Sequence, residues 1–391
     1  MKRLLAFFLA AALTLTSAAG LHFLAERRVY ADGNAFASWS GDGKFPAREA
    51  ILKNLDENTV LTFGSSEFQY GVKTPYHPGK IFKDTKFHMM LIGAGYYQSL
   101  SHAITLASLG EHAKTKEAVL FLSPQWFRKA GVQPEAFTSR FSESHYIAML
   151  KNNHLRKNVK DYMIKRSHEL LRVDPAARER ADLYNRVLYT QDASMSDRVN
   201  YRIYTRFLKE KELQTAVMQM VKDNIPKASS KEKTDQDPDF ASLLKQSIKD
   251  GEAQNQGNPF YMDDSSYKWK VRPFMKKKKN QSLNGSYSTS PEYDDLRCFL
   301  DVCQELGIRP LLVMMPVNGY WYDYTGFPKE AREDYYQKIR SVAAEYNASI
   351  ADFSDQEYTK YFFEDGVHIG KKGWVMINES IYRFYQKTEE K

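Results

Sequence analysis

Residues 59–67 read Thr-Val-Leu-Thr-Phe-Gly-Ser-Ser-Glu, a five-residue apolar run that breaks into a small polar turn, and this stretch decides the fold. β-Branched and aromatic residues bounded by Gly and Ser read as a short buried strand. Four further runs share its character: His88–Ile92, Ala118–Leu122, Pro310–Met315 and Ser349–Phe353. Amphipathic helices separate them. Ser290-Pro291 and the acidic residues behind it start a helix with Leu296, Phe299, Leu300, Cys303 and Leu306 on one face. The same period recurs in Tyr335, Ile339, Val342 and Tyr346, and in Trp374, Ile377, Ile381 and Phe384. This alternation predicts an α/β protein, a doubly wound parallel sheet of about five strands with helices on both faces. Ligands on such sheets sit at the carboxyl ends of the strands.

Outward from that core, the 391 residues are 42% hydrophobic and 27% charged, which excludes a disordered chain. One stretch, Leu4–Leu24 behind Lys2 and Arg3, has the length to cross a bilayer, which excludes a polytopic membrane protein. Small residues at Ser17-Ala18-Ala19 fit a signal-peptide cleavage site. Leu21, Phe23 and Leu24 extend the apolar run beyond it and favour a retained single-pass anchor over residues 1–28. Everything after it then lies on one side, taken as the outer face of the cell membrane. Cys298 and Cys303, five apart in one helix, point in different directions and predict no disulfide. The histidines are scattered, so no metal site and no cofactor is expected.

About 170 residues without strand character separate the third and fourth strands. Helical patterns run from about Glu135 to Val221, and the polar stretch Lys227–Asp239 reads as a linker or mobile loop. Tyr, Trp and Lys alternate around Tyr261–Lys270. Residues 131–290 are therefore read as a helical insertion that caps the sheet, within a domain formed by 29–130 and 291–391. The basic excess lies entirely in that insertion, which has 29 Lys and Arg against 20 Asp and Glu, or +9; the remainder has 27 against 28, or −1, for a net charge of +8. A basic face beside a membrane anchor suits an anionic polymer or anionic lipid headgroups, and an outward-facing protein does not meet nucleic acid.

Four turns at strand ends carry candidate chemistry. Gly64-Ser65-Ser66-Glu67 exposes a hydroxyl with backbone N–H groups beside it, and Phe68 separates it from the Gly-x-Ser-x-Gly elbow of α/β-hydrolases. Asp365-Gly366-Val367-His368 supplies from one loop the base that a serine needs and the carboxylate that orients that base. Gly93-Ala94-Gly95 allows close backbone approach, with Gln98 and His102 following at helical spacing and His102 read as structural. Ser123-Pro124-Gln125-Trp126-Phe127 offers an amide at a third strand end.

In this order the blocks resemble the SGNH hydrolase superfamily, in which the third residue of the first block, here Ser66, is the nucleophile. The resemblance implies an oxyanion hole from the backbone of Ser66, Gly93 and Gly95 with Gln125 as third donor, although Ser65 and Ser123-Pro124-Gln125 depart from the usual blocks. Those departures, the N-terminal anchor, Met315-Pro316-Val317-Asn318-Gly319-Tyr320-Trp321-Tyr322-Asp323-Tyr324 and the sequence Asp365–Trp374 resemble, end to end, the D-alanyl transfer (DltD) family of teichoic-acid D-alanylation in Gram-positive bacteria. The resemblance implies a three-layer SGNH or flavodoxin-like domain and transfer of D-alanine onto lipoteichoic acid through a Ser66–His368–Asp365 triad and a seryl ester. The Tyr- and Trp-rich Asn318–Tyr324 loop follows the fourth strand and is expected to line the acceptor pocket, with Trp126, Asn318, Tyr320, Trp321 and Tyr322 as substrate-binding residues. Expected partners are lipoteichoic acid, membrane lipid, and the membrane-bound O-acyltransferase and D-alanyl carrier protein of the same pathway. Two alternatives stay open: a tethered esterase or thioesterase acting on D-alanyl esters, and a non-catalytic docking partner.

Overall fold

The computed structural model describes residues 2–31, 33–228 and 235–389. Strands β1 (Thr59–Phe63), β2 (His88–Ile92), β3 (Glu117–Leu122), β4 (Arg309–Met314) and β5 (Ser349–Asp352) form one sheet, parallel throughout. Their order is β2-β1-β3-β4-β5. The five predicted strands are all present, with boundaries of the last three displaced by one residue. Each strand alternates its side chains between two cores, as a pleat of period two requires. Leu61, Phe63, Leu120, Leu122, Leu312 and Met314 enter one core, and Val60, Val119, Phe121, Leu311 and Val313 the other. Burial on both faces is why β1, β2, β3 and the later part of β4 are so apolar, whereas β5 at the sheet edge is only partly covered.

Eleven helices position the site and its surroundings. They are α1 (Lys2–Arg28), α2 (Glu67–Tyr70), α3 (Ser99–Leu109), α4 (Glu143–Lys151), α5 (Lys157–Leu170), α6 (Met195–Lys222), α7 (Phe240–Ala253), α8 (Glu292–Glu305), α9 (Gly319–Thr325), α10 (Lys329–Glu345) and α11 (Lys371–Glu389). Helices α3, α8 and α10 cover the first face, and α11 covers the second through Trp374, Val375, Ile377 and Ile381. Cys298 and Cys303 are buried in α8 as free thiols. Helix α1 is long and apolar enough to cross a membrane, and its apolar window is unburied.

The segment 131–290 does more than cap the sheet. Its helices α4, α5 and α6 join the first core. Phe240, Leu243 and Leu244 of α7 pack on the second. Phe260, Met262 and Val271 form a third, small cluster with Tyr320, Trp321 and Tyr324 beside α9. Amphipathic helices bury their apolar stripe wherever a face is open, and this sheet offered two. Of the stretch 227–239 read as a linker, residues 229–234 lie outside the described residues.

Candidate active site

The strand order reverses at β1: β2 is laid on one side of it and β3 on the other. A crevice forms at the carboxyl ends of strands where the order reverses. Ser66 stands there, at the end of the turn leaving β1 and in the N-cap position of α2, yet its hydroxyl caps nothing. Ser66 Oγ instead lies 3.0 Å from His368 Nε2, across 302 positions of sequence. Glu67 takes over the local backbone, its buried carboxylate accepting from Ser65 N at 2.5 Å. Burial pushes the Glu67 carboxyl above its ordinary range against the pull of that hydrogen bond. The neighbouring hydroxyl has a separate task, because Ser65 Oγ is buried and donates to the Ala94 carbonyl at 3.1 Å. The two serines are thus divided between bracing and the imidazole.

Asp365 builds the loop that carries the histidine. Its Oδ1 accepts from the backbone N–H of Val367 and of His368, each at 3.0 Å, and Glu364 N–H closes the loop on the His368 carbonyl at 2.9 Å. Its Oδ2 lies 2.8 Å from His368 Nδ1. Burial alone would raise this carboxyl, but hydrogen bonds from the His368 ring and backbone and from Val367 outweigh it and hold it down at about 2. Asp365 is therefore a carboxylate at any physiological pH. An acceptor fixed on Nδ1 keeps the proton there and leaves Nε2 as the basic nitrogen facing Ser66.

Gly93 lets the turns after β1 and β2 touch. Its φ is +139°, and a β-carbon would sit 1.8 Å from the Gly64 carbonyl oxygen. Gly95 borders Ser66 directly, a β-carbon there coming 4.0 Å from Ser66 Cβ, and its N–H donates to Gln69 Oε1 at 3.3 Å. Gln125 is half-buried on the turn that leaves β3, on the other side of β1. His102 is fully buried against Phe63, Tyr97 and Trp126, and burial drives its pKa down to about 3, so it is a neutral wall behind the glycine turn.

The expected binding residues separate into two groups. Trp126 is a core residue, 3% exposed, on that same wall. Asn318, 2% exposed, caps α9 by accepting from Trp321 N and donates to the Phe260 carbonyl. The Tyr322 hydroxyl is buried 3.0 Å from that of Tyr287. Only Tyr320 and Trp321 keep part of their surface in solvent. Trp321 packs over Gly366 in the histidine loop, and Tyr320 donates to the Tyr358 carbonyl.

Two residues at the site escaped the sequence reading. Tyr70, one helical turn after Ser66, stacks on the His368 ring with centroids 3.7 Å apart and planes 12° apart. Lys270 comes from the inserted segment. Its Nζ lies 4.2 Å above the Tyr70 ring and 3.8 Å from Asp365 Oδ2. The i, i+4 spacing from Ser66 was a usable signal for Tyr70; no spacing connects Lys270 to either loop. A cleft of about 290 Å³ opens beside them, lined by Tyr70, Tyr261, Asp263, Glu364, Lys73 and Lys371 among others. Its charges are balanced, with Lys371 Nζ 3.5 Å from Asp263.

The DltD protein family profile matches residues 38–386. Protein DltD of Bacillus subtilis (strain 168) is 31% identical over 389 residues, 98% of this chain and 96% of that one. Protein DltD of Staphylococcus aureus (strain NCTC 8325 / PS 47) is 28% identical over 82% of this chain and 79% of its own. That of Lacticaseibacillus rhamnosus is 26% identical over 86% and 80%. A match that runs from before β1 to within α11, with a relative similar along nearly its whole length, places the chain in one family: it belongs to the DltD family.

Proposed function

We propose that this protein is a membrane-anchored serine acyltransferase that esterifies lipoteichoic acid with D-alanine on the outer face of the membrane. The family serves the D-alanylation of teichoic acids. The observation that carries the finer reading is the unbroken line from Ser66 Oγ through the His368 ring to Asp365, at 3.0 Å and 2.8 Å. Those separations suit a nucleophile, its base and the group orienting the base.

In the proposed cycle His368 Nε2 takes the Ser66 proton as Oγ bonds to the carbonyl carbon of an activated D-alanyl group. The carbonyl oxygen becomes an oxyanion facing the backbone N–H groups of Ser66 and of the Gly93–Gly95 turn, with Gln125 as the further donor. The Gly95 N–H, which donates to Gln69 Oε1 at 3.3 Å, would have to exchange that partner for the oxyanion. The leaving group departs with the proton held on Nε2, which leaves a D-alanyl ester on Ser66. A polymer hydroxyl then gives its proton to Nε2 and attacks the ester carbonyl; the C–O bond to Ser66 breaks as Nε2 returns that proton to Oγ, which leaves the D-alanyl ester on the polymer and His368 neutral. The cleft along Tyr70 and Lys371 would receive the acceptor. Its two lysines and two carboxylates suit a product in which a cationic D-alanyl ester adjoins an anionic phosphodiester.

The test is Ser66→Ala in cells that depend on this chain. Alkali-labile D-alanine on teichoic acid should fall to background, and Ser65→Ala should keep the activity if its fold survives. Unchanged D-alanylation in Ser66→Ala would reduce the protein to a docking partner. Purified protein that releases mainly free D-alanine in the presence of acceptor would make it a hydrolase.

A further inference from the structure

The membrane helix is not a free stalk. Ala25 and Val29 at its end are buried in the main core. His22 Nδ1 lies 2.7 Å from Glu210 Oε2, and the Arg28 guanidinium donates to the Ile225 carbonyl at 2.5 Å. Glu210 belongs to α6 and Ile225 lies three residues beyond its end, so the end of α1 is held against this part of the chain. Followed back from Glu210, α6 continues for fifteen residues to Met195, about 22 Å at 1.5 Å per residue.

That half of α6 has an uncovered apolar face. Met195, Val199, Ile203 and Phe207 recur every fourth residue and are 78%, 45%, 65% and 60% exposed. Spaced by four, they drift across an arc of about 120° on one side of the helix. Arg198, Arg202 and Arg206, all exposed, run in a row along the edge of this arc. Asp197, the acidic residue of the same stretch, is turned away to Arg186 and Ser194. An apolar stripe with a basic margin is the pattern of a helix lying in a membrane interface. The guanidinium heads reach lipid phosphates while the apolar side chains enter the acyl boundary.

We propose that residues 195–207 form a second membrane contact. They lie in the headgroup layer of the leaflet from which α1 emerges, with Met195, Val199, Ile203 and Phe207 toward the acyl chains. Arg198, Arg202 and Arg206 bind the phosphates of anionic lipids. Continuity with α1 selects lipid as the occupant, since the surface that α1 enters begins beside this helix. The inference rests on α1 crossing the bilayer and is independent of the triad chemistry. One span leaves the body free to tilt, whereas a span and an interfacial helix together fix how the Ser66 cleft faces the membrane.

The test uses the full chain reconstituted in phosphatidylcholine–phosphatidylglycerol vesicles, with an environment-sensitive fluorophore on an introduced cysteine. Cys298 and Cys303, both buried, stay unlabelled. Three positions are compared: Ile203→Cys, Lys249→Cys on exposed α7, and Leu13→Cys within the span. Quenching at position 13 by spin-labelled lipid establishes insertion first. The label at 203 should then be quenched several-fold more than that at 249. The difference should shrink in pure phosphatidylcholine and in the Arg198→Gln, Arg202→Gln, Arg206→Gln variant. Equal quenching at 203 and 249 overturns the proposal. So does quenching at 203 that appears only when another membrane protein of the pathway is reconstituted alongside, which assigns the face to a protein partner.

Discussion

Gly93→Ala should damage the site without touching any group of the triad. The new methyl would start 1.8 Å from the Gly64 carbonyl oxygen, at a φ of +139° that side chains rarely adopt. Restoring the 3.0 Å below which real β-carbons are essentially never found takes a movement of about 1.2 Å between the turns after β1 and β2. Those turns carry Ser66 on one side and the proposed oxyanion donors on the other. An ångström of misplacement in a reacting geometry costs on the order of 10²-fold in rate. Strain and overpacking should lower stability by about 1–3 kcal/mol. Gly95→Ala is the comparator, since its methyl would first meet Ser66 Cβ at 4.0 Å, an ordinary contact. It should melt within about 0.5 kcal/mol of the parent. The assay pairs thermal unfolding of both purified variants with the alkali-labile D-alanine on teichoic acid of cells that carry each as sole copy. A Gly93→Ala protein that melts with the parent and keeps more than half of the ester would refute the argument that this contact sets the site.

Two further outcomes follow from the neighbourhood of the triad. Tyr70→Ala removes a ring stacked on His368, worth about 0.5–1.5 kcal/mol, and should lower kcat by about 2–10-fold. Tyr70→Phe should restore it, and equal rates for the two variants would show that the stack does not position the imidazole. Lys270→Ala, at a partly exposed pair, should cost no more than about 5-fold and should be non-additive with Tyr70→Ala in a double-mutant cycle. Away from the site, Glu292 is buried at the start of α8, accepting from Ser99 N at 2.8 Å, and burial followed by the charge of Asp295 pushes its carboxyl up to about 8. A carboxyl raised on folding contributes stability that is complete below its unfolded pKa of about 4.3 and is lost as pH rises through the folded value. Thermal melts between pH 5 and 8 should therefore decline less steeply in Glu292→Gln than in the parent, and parallel curves would contradict the assignment.

The sheet was legible because both of its faces are buried. Continuous apolar runs bounded by Gly, Ser and Pro admit few other readings, and the helices between them fixed the parallel sense. Ser66, Asp365 and His368 were legible because each sits on a polar turn directly adjoining a regular element. The inserted segment was harder to read. A helical stripe shows that a face will be buried, but not which of two sheet faces receives it, and so α4 to α6 and α7 went to opposite sides. Asn318 and Tyr322 show a related limit of sequence reading. A polar or aromatic residue in a loop has the same sequence signature whether it meets a ligand or, as here, caps a helix or pairs with a buried hydroxyl. Lys270 belongs to no motif, and only the folded path brings it to Asp365.

The wide sequence separations within the sheet have a kinetic consequence. β4 pairs with β3 through Glu117 and Arg309, 192 positions apart, and the hydroxyl of Ser66 waits 302 positions for its imidazole. Closing such long loops is entropically costly and slows assembly. During synthesis Ser66 emerges long before His368, so the early chain lacks their contact altogether. The pair forms only after the intervening helices have found their seats and the histidine loop has docked. Any chemistry proposed for this pair would thus arrive together with the finished structure, and an immature chain would carry the hydroxyl without the imidazole.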